Sequence, residues 1–172
     1  MDIDEFIRRR DYANQFGWSV PSKEAIEKIK EFVGNESVLE VGAGRGLWAK
    51  LMQDAGISVV PTDYFVSHGI EKEKNPRTFT EVEKLKHLDA VNKYGDNKVL
   101  MLSWPPYNDP MAYETLKNFN GDKLIYIGEG VGGCTADDQF CKLLNELWQE
   151  IEIIDIPQWS GIHDYLTLYV RK

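Results

Sequence analysis

A short apolar run is followed by three closely spaced glycines. Val38 to Val41 is long enough for a buried parallel strand, and glycines stand at positions 42, 44 and 46. Glycine adopts positive φ angles and lets a ligand approach the bare backbone. The N–H groups at the start of the helix predicted from Leu47 to Ala55 would attract a negative group. This order of strand, glycine turn and helix predicts a nucleotide-type binding site.

The spacing of the turn narrows the choice of ligand. The third glycine of the dinucleotide fingerprint is replaced by Leu47, and the Gly-Lys-Ser/Thr of a phosphate-binding loop is absent. The next predicted strand, Ile57 to Thr62, ends at Asp63. A carboxylate there suits a pair of ribose hydroxyls, because it accepts two hydrogen bonds side by side. The alternative is a tight turn followed by an ordinary Asp at a strand end.

Apolar periodicity predicts alternating strands and helices around this site. Short apolar runs predict strands at 38–41, 57–62, 80–85, 98–103, 123–128, 151–156 and 165–170. Helical spacing predicts helices at 2–11, 22–33, 47–55, 88–94, 111–119 and from Thr135 to Trp148. The connection 157–164 is too short for a crossover helix, so the last two strands are expected to be antiparallel. The chain is therefore predicted to be an α/β protein with a mostly parallel sheet.

Three further stretches complete the prediction, two at the beginning of the chain and one after Asp63. The first helix is expected to bury Ile3, Phe6 and Ile7 and to expose the run of arginines at 8–10. Residues 12–21 are rich in aromatic side chains and do not predict a regular element. The polar stretch 64–78 is predicted to be a loop that shapes either a substrate lid or a partner surface.

Ligands bind at the carboxyl ends of the strands in open α/β sheets, which gathers the candidate residues at one edge. The residues expected there are Glu40, Gly42, Ala43, Gly44, Asp63, Tyr64, Ser103, Trp104, Pro105, Pro106, Tyr107 and Glu129. Trp18 in the leading segment, and Trp159 and His163 in the last connection, are further candidates. A histidine with a near-neutral pKa could take a proton from a hydroxyl or amine, although a loop histidine bonded to its neighbours is the simpler interpretation.

Size and charge limit the classes of function. The 172 residues fit one domain, 1–172, divided into an N-terminal helical or lid segment, 1–34, and a core, 35–172. A net charge of −8 argues against broad electrostatic binding to nucleic acid or anionic membrane, although a local basic patch remains possible. Cys134 and Cys141 fit no Cys-x-x-Cys pattern and are expected to be reduced thiols of a cytoplasmic protein. No histidine has a partner at metal-ligand spacing, so no metal is expected.

The segment Glu40-x-Gly42-x-Gly44-x-Gly46 resembles motif I of the class I S-adenosylmethionine-dependent methyltransferases. The resemblance extends over nearly the whole chain and is weakest between residues 64 and 97. It implies a three-layer α/β/α sandwich with a seven-stranded sheet that ends in an antiparallel hairpin. It also implies S-adenosyl-L-methionine as cofactor. The cofactor residues would be Glu40, Gly42, Ala43, Gly44, Asp63, Tyr64 and Ser103.

Ser103-Trp-Pro-Pro-Tyr107 is similar to the Asp/Asn/Ser-Pro-Pro-Tyr motif of methyltransferases that act on amino groups. Here Trp104 separates the serine from the prolines, so the polar side chain is out of register with that motif. A rigid Pro-Pro turn at a strand end is the alternative interpretation. With the Ile-Gly-Glu and Ile-Pro-Gln-Trp segments, these residues resemble a small group of methyltransferases without an assigned substrate. The substrate-binding residues would be Trp18, Trp104, Pro105, Pro106 and Trp159, and the catalytic ones Tyr107, Glu129 and His163.

The resulting hypothesis is a methyltransferase, monomeric or homodimeric, that acts on a small molecule. The acceptor and the type of methylation, on oxygen, nitrogen or carbon, stay open. Two alternatives remain. One is N-methylation of a nucleic-acid base or a protein side chain, and the other is a non-catalytic cofactor-binding subunit that works through a partner.

Overall fold

A computed structural model describes residues 2–64 and 77–172, which form one six-stranded mixed sheet with helices on both faces. The helices are α1 (Ile3–Phe16), α2 (Lys23–Val33), α3 (Leu47–Asp54), α4 (His87–Lys93), α5 (Met111–Asn118) and α6 (Asp138–Leu147). The strands are β1 (Ser37–Val41), β2 (Ser58–Thr62), β3 (Val99–Ser103), β4 (Lys123–Glu129), β5 (Trp148–Asp155) and β6 (Asp164–Arg171). None of the described helices is long and apolar enough to cross a membrane.

The strand order is β2-β1-β3-β4-β6-β5. The first four strands are parallel, whereas β6 runs antiparallel to both β4 and β5. This arrangement confirms the α/β class and the predicted antiparallel hairpin at the end of the chain. It also brings the carboxyl ends of β1 to β4 to the same edge of the sheet, where a ligand site is expected.

The prediction of a seven-stranded sheet is wrong, because the stretch 80–85 makes only a single bridge, Thr62 to Glu83. The Glu83 N–H donates to the Pro61 carbonyl, and the Asp63 N–H donates to the Glu83 carbonyl, both at 3.0 Å. Pro61 therefore faces this outer edge of β2 without an N–H to donate to residue 81, so the ladder cannot extend further back.

Both faces of the sheet are covered by apolar packing, as expected for parallel strands buried on both sides. Alternate strand residues such as Val38, Val99 and Met101 contact α2 and α3 on one face. The strand residues that alternate with these, such as Leu39 and Leu100, contact α4, α5 and α6 on the other face. The two packed faces hold the strand ends rigidly at the site.

Helix α1 departs from the prediction in length and orientation. It continues to Phe16 instead of ending near residue 11, and its predicted buried residues are exposed: Ile3 (71%), Phe6 (51%) and Ile7 (40%). A different helical stripe contacts the body of the protein. Glu5 accepts the Ser160 N–H at 2.9 Å, and the Tyr12 ring lies 5.8 Å from the Trp159 ring.

The start of α6 is also later than predicted. Asp137, not Thr135, caps the helix by accepting the Phe140 N–H at 2.8 Å. The Thr135 hydroxyl is instead buried against Tyr126 and the Glu129 backbone, so it is not available as a cap. Trp148, assigned to the helix by its spacing, begins β5. Most of the predicted loop 64–78 lies outside the described residues.

Candidate cofactor and acceptor site

A cavity of about 350 Å³ opens at the carboxyl ends of β1 and β3. The residues that line it are Ala13, Asn14, Phe16, Gly17, Trp18, Ser19, Glu40, Gly42, Ala43, Gly44, Arg45, Leu47, Trp48, Ser103, Trp104, Pro105, Pro106, Tyr107, Met111 and Cys134. One wall is therefore the glycine turn, the second is the loop after β3, and the third is the end of α1 with the segment that follows it. Ten of the predicted site residues line this cavity.

The glycine turn needs glycine for two different reasons. Gly42 and Gly44 have φ angles of 79° and 55°, which other residues rarely adopt. Gly46 also has a positive φ, and a Cβ there would lie 2.9 Å from the Val82 side chain, so there is no room for one. The Gly44 N–H donates to the Asp63 carboxylate at 2.8 Å, which links the turn to the end of β2.

Glu40 places a buried carboxyl group in the cavity wall. The side chain is 1% exposed, and its Oε2 atom has no hydrogen-bond partner within the described residues. Burial, with a further contribution from the nearby Asp63, raises the pKa of Glu40 to about 8, and the Ala49 N–H only partly opposes this. Leaving a buried carboxyl oxygen unpaired costs free energy, so this site suits a cationic ligand group.

Asp63 and Tyr64 do not line the cavity, unlike the other predicted cofactor residues. Asp63 is 2% exposed and lies behind the glycine turn, where it accepts the Gly44 N–H. A carboxylate can accept more than one hydrogen bond. Tyr64 is partly exposed, with Lys84 and Lys86 within 5.7 Å and 5.3 Å of its ring centroid.

Two tryptophans form the aromatic part of the wall. The Trp18 and Trp104 rings are stacked at 5.9 Å, and the Arg9 guanidinium lies within 5.7 Å of both. Arg9 was expected in a solvated arginine run, but it packs against these rings. Trp104 has a φ of 50°, a strained value for a residue that precedes proline, and its indole N–H donates to Asp164 at 2.8 Å. These contacts fix the ring at the edge of the cavity.

The loop after β3 continues from Trp104 to the mouth of the cavity. Pro105 is buried and its carbonyl accepts the Ala136 N–H, whereas Pro106 and Tyr107 are exposed, Tyr107 to 69%. Asn108 returns a second bond to the Ala136 carbonyl at 2.8 Å. The loop is therefore held in place while it presents an aromatic ring at the opening.

Glu129, His163 and Trp159 are not part of the cavity lining. The two Glu129 carboxylate oxygens accept the backbone N–H groups of Cys134 (2.7 Å) and His163 (2.8 Å). Burial alone would raise the pKa of Glu129, but these N–H groups lower it below its usual value. Trp159 packs on Tyr12, and His163 is exposed. The geometry thus makes Glu129 an acceptor of backbone N–H groups that lies outside the cavity lining.

Several residues of the site were missed from the sequence. Ser19 is buried between Trp48 and Ser103, and Met111 and Cys134 reach the cavity from α5 and from the loop after β4. Trp48 could have been noticed as the second residue of the helix after the glycine turn. The others carry no spacing signal, because distant segments bring them together. No group of three or more His, Cys, Asp or Glu in residues 2–64 and 77–172 could hold a metal ion.

Comparison with known proteins relates the fold to methyltransferases. No protein-family model matches the chain, and no curated protein matches it. Among solved structures, magnesium protoporphyrin IX methyltransferase from Synechocystis PCC 6803 with bound S-adenosylmethionine is similar over 100% of this chain and 99% of its own, with a TM-score of 0.58 and 12% identity. The chain has the fold of these methyltransferases.

Two further neighbours have different substrates in their names. A candidate tRNA methyltransferase from Streptococcus pneumoniae, in complex with S-adenosyl-L-methionine, has a TM-score of 0.56 and 17% identity over 88% of this chain and 73% of its own. A ribosomal protein methylase from Lactobacillus delbrueckii subsp. bulgaricus has a TM-score of 0.54 and 18% identity over 87% and 75%. The shared fold therefore does not specify the acceptor.

Proposed function

We propose that this protein is an S-adenosylmethionine-dependent methyltransferase that acts on a small-molecule acceptor. The observation that carries the proposal is the Glu40 carboxyl group, buried and partly unpaired beside the glycine turn. It lies in a cavity at the carboxyl ends of parallel strands, where α/β proteins bind nucleotides. Neighbours of the same fold have been crystallised with S-adenosylmethionine.

The residues around the glycine turn fit this cofactor. Glu40 would pair with the ammonium of the methionine group, and the bare backbone of Gly42, Ala43 and Gly44 would allow close approach. Asp63 and Tyr64 would hold the ribose and adenine end from the edge of β2. S-adenosylmethionine, when bound, supplies a methyl group on a positively charged sulfur, already activated for transfer.

The loop after β3 and the leading segment would hold the acceptor. Trp104 and Pro105 offer a flat apolar wall, and Trp18 extends it from the segment 1–34, which we propose acts as a lid. Alignment of the acceptor with the methyl group is the main task of the protein, because orientation alone accounts for a large part of such rate enhancements. Tyr107 at the opening is a candidate to contact the acceptor. Glu129, His163 and Trp159 lie outside the cavity lining and would act as positioning residues behind this wall.

Calorimetry with S-adenosylhomocysteine tests the cofactor assignment directly. The wild-type protein should bind it, and Glu40→Gln should weaken binding at least tenfold because the charge pair is lost. Glu114→Gln is the matched control, since Glu114 contacts His87 on the surface and lies outside the cavity lining. A folded wild-type protein that shows no binding at millimolar S-adenosylhomocysteine would contradict the proposal.

N-methylation of a nucleic-acid base or protein side chain is the second candidate. It is favoured by the exposed Tyr107 ring beside Pro106 at the opening, because an aromatic ring there could stack on a base presented from outside. The net charge of −8 argues against it, since nucleic-acid binding depends on neutralising phosphates.

A further inference from the structure

A chain of three polar side chains crosses the cavity wall. The Trp48 indole N–H donates to Ser19 Oγ at 2.9 Å, and Ser19 Oγ lies 3.0 Å from Ser103 Oγ. The three residues come from α3, the segment after α1 and the end of β3, and all of them line the cavity. Ser19 therefore joins the proposed lid segment to the strand end.

The numbers of donors and acceptors indicate the direction of the hydrogen bonds between Trp48, Ser19 and Ser103. The Trp48 indole can only donate, so it occupies a lone pair of the Ser19 oxygen. Ser19 is 3% exposed, and among the described residues its only other hydrogen-bond partner is Ser103. A buried hydroxyl without an acceptor costs about 1–3 kcal/mol, and Ser19 is more deeply buried than Ser103, so of the two possible directions the bond in which Ser19 donates to Ser103 is favoured. The Ser103 proton then has no acceptor in the described protein and is directed into the cavity.

The surroundings of this donor are flat and apolar. Ser103 is followed directly by Trp104 and Pro105, which line the same cavity, and the Trp104 ring is fixed by Asp164 and by stacking on Trp18. A ligand ring lying against this wall would present one of its edges to the Ser103 hydroxyl. An edge atom that accepts a hydrogen bond is matched there, whereas an N–H group would face another donor.

We propose that the methyl acceptor is a flat aromatic molecule that presents a hydrogen-bond-accepting atom, a ring nitrogen or a carbonyl oxygen, to the Ser103 hydroxyl. Ser19 is the positioning residue that sets the direction of the Ser103 proton. The inference rests on the proposed methyltransferase function and names its substrate class. It also moves Ser103 from the cofactor residues, where the sequence placed it, to the acceptor.

Three bicyclic fragments of similar shape test the proposal on the protein saturated with S-adenosylhomocysteine. Quinoline offers a ring nitrogen, indole offers an N–H, and naphthalene offers neither. Titrations followed by ligand NMR should show quinoline binding about two- to tenfold more tightly than the other two, as expected for one hydrogen bond. Ser103→Ala should abolish this preference.

Variants at Ser19 separate positioning from packing. Ser19→Ala should reduce the preference for quinoline because the Ser103 hydroxyl is then free to rotate, and Ser19→Thr should restore it because the hydroxyl is retained. Denaturant unfolding of each variant gives its stability independently. The comparison of the three fragments on the wild-type protein needs no variant and remains decisive if Ser19→Ala does not fold.

Three outcomes would overturn the inference. The first is equal binding of the three fragments to the wild-type protein. The second is an unchanged preference in Ser103→Ala. The third is a loss of S-adenosylhomocysteine affinity in Ser103→Ala with the fragment preference intact, which would assign the hydroxyl to the cofactor. Failure of the wild-type protein to bind S-adenosylhomocysteine would remove the proposed function itself, a result that calorimetry detects separately.

Discussion

Glu40 lowers the stability of the empty protein but favours the binding of a cationic ligand. A carboxyl group that is buried with one oxygen unpaired is unfavourable in the empty protein, and its raised pKa reflects that cost. A bound cation would offset the cost by supplying the missing partner. The residue is therefore best explained by what it binds, since it contributes nothing to the folded state that a neutral side chain could not.

The pH dependence of unfolding should reveal this cost. The pKa of Glu40 is about 8 in the folded protein and near 4.5 in the unfolded chain, so the folded state binds more protons between these values. Its contribution to stability therefore falls as pH rises from about 4.5 to 8 and is constant above that. Glu40→Gln should be more stable than the wild type at pH 9, by up to about 5 kcal/mol, with a smaller difference at pH 5. Urea unfolding of both proteins at pH 5 and pH 9 measures this difference in stability. Equal stability of the two proteins at pH 9 would contradict the prediction.

Cofactor binding should release a proton for the same reason. Pairing with the ammonium of S-adenosylhomocysteine requires the charged form of Glu40, which is the minor form below about pH 8. The affinity should then rise with pH between 6 and 8, by up to about tenfold per pH unit. Calorimetry in buffers of different ionisation enthalpy counts the released proton directly. Glu40→Gln should show neither the slope nor the release.

Asp63 combines two roles that substitutions can separate. Its carboxylate accepts the Gly44 N–H and, in our proposal, also the ribose hydroxyls. Asp63→Ala should weaken S-adenosylhomocysteine binding by about 1.5–3 kcal/mol, or roughly ten- to a hundredfold. Asp63→Asn keeps an acceptor for Gly44 but loses the charge, so its affinity for S-adenosylhomocysteine should lie between those of the wild type and Asp63→Ala. Calorimetry on the three proteins decides, and full affinity in Asp63→Asn would mean that Asp63 only orients the glycine turn.

At the scale of elements, the strand-end loops are held by side chains that bond to groups distant in the sequence. Glu129 joins the loop after β4 to the connection before β6, and Asp164 fixes Trp104 after β3. Arg171 donates to the Phe119 and Gly121 carbonyls at the opposite edge. Such bonds keep the wall of the site in one conformation without occupying the cavity.

Glu129→Gln should therefore affect stability and leave cofactor affinity nearly unchanged. The amide has one oxygen where the carboxylate has two, so either the Cys134 or the His163 N–H loses its acceptor, at a cost of about 1–3 kcal/mol. Because the pKa of Glu129 is lowered in the folded protein, its contribution is present at neutral pH and is lost as pH falls through the folded value. Thermal unfolding followed from pH 7 downward should show a difference from the wild type that is largest at pH 7 and decreases as the pH falls. A variant of unchanged stability but lower turnover would instead support a catalytic role.

The whole molecule combines a negative charge with a cavity of about 350 Å³ that includes five aromatic residues in its lining. A net charge of −8 gives no general attraction to phosphates, and the exposed Tyr107 is the observation that favours a macromolecular substrate. The charge and the cavity thus favour a small acceptor.

Oligonucleotide binding tests this preference. Binding of single-stranded DNA and RNA, measured by fluorescence anisotropy at 50 mM and 200 mM salt, should be absent or independent of salt. A steep decrease in affinity with salt would reveal phosphate contacts and revive the base-methylating alternative. Gel filtration of the same samples would distinguish a monomer or homodimer from a subunit that needs a partner.

The sequence by itself determined the local features of this protein. Gly42, Gly44 and Gly46 predicted the turn, since a positive φ is a property of the residue type. Apolar runs located the six strands of the sheet, and the helix predicted at 22–33 is α2, with Ser22 and Gly34 as its caps, because caps act within one helical turn. The antiparallel end of the sheet followed from the length of one connection.

Only the tertiary structure decided which residues share the cavity and which apolar residues are buried. Ile3, Phe6 and Ile7 have helical spacing but face solvent, because α1 packs through Arg9 and Tyr12 instead. The segment 80–85 has the composition of a strand, but Pro61 on its neighbour lacks the N–H that pairing requires. Ser19 meets Ser103 across 84 positions of the chain. Contacts of this kind depend on where distant segments pack, and no local periodicity encodes that.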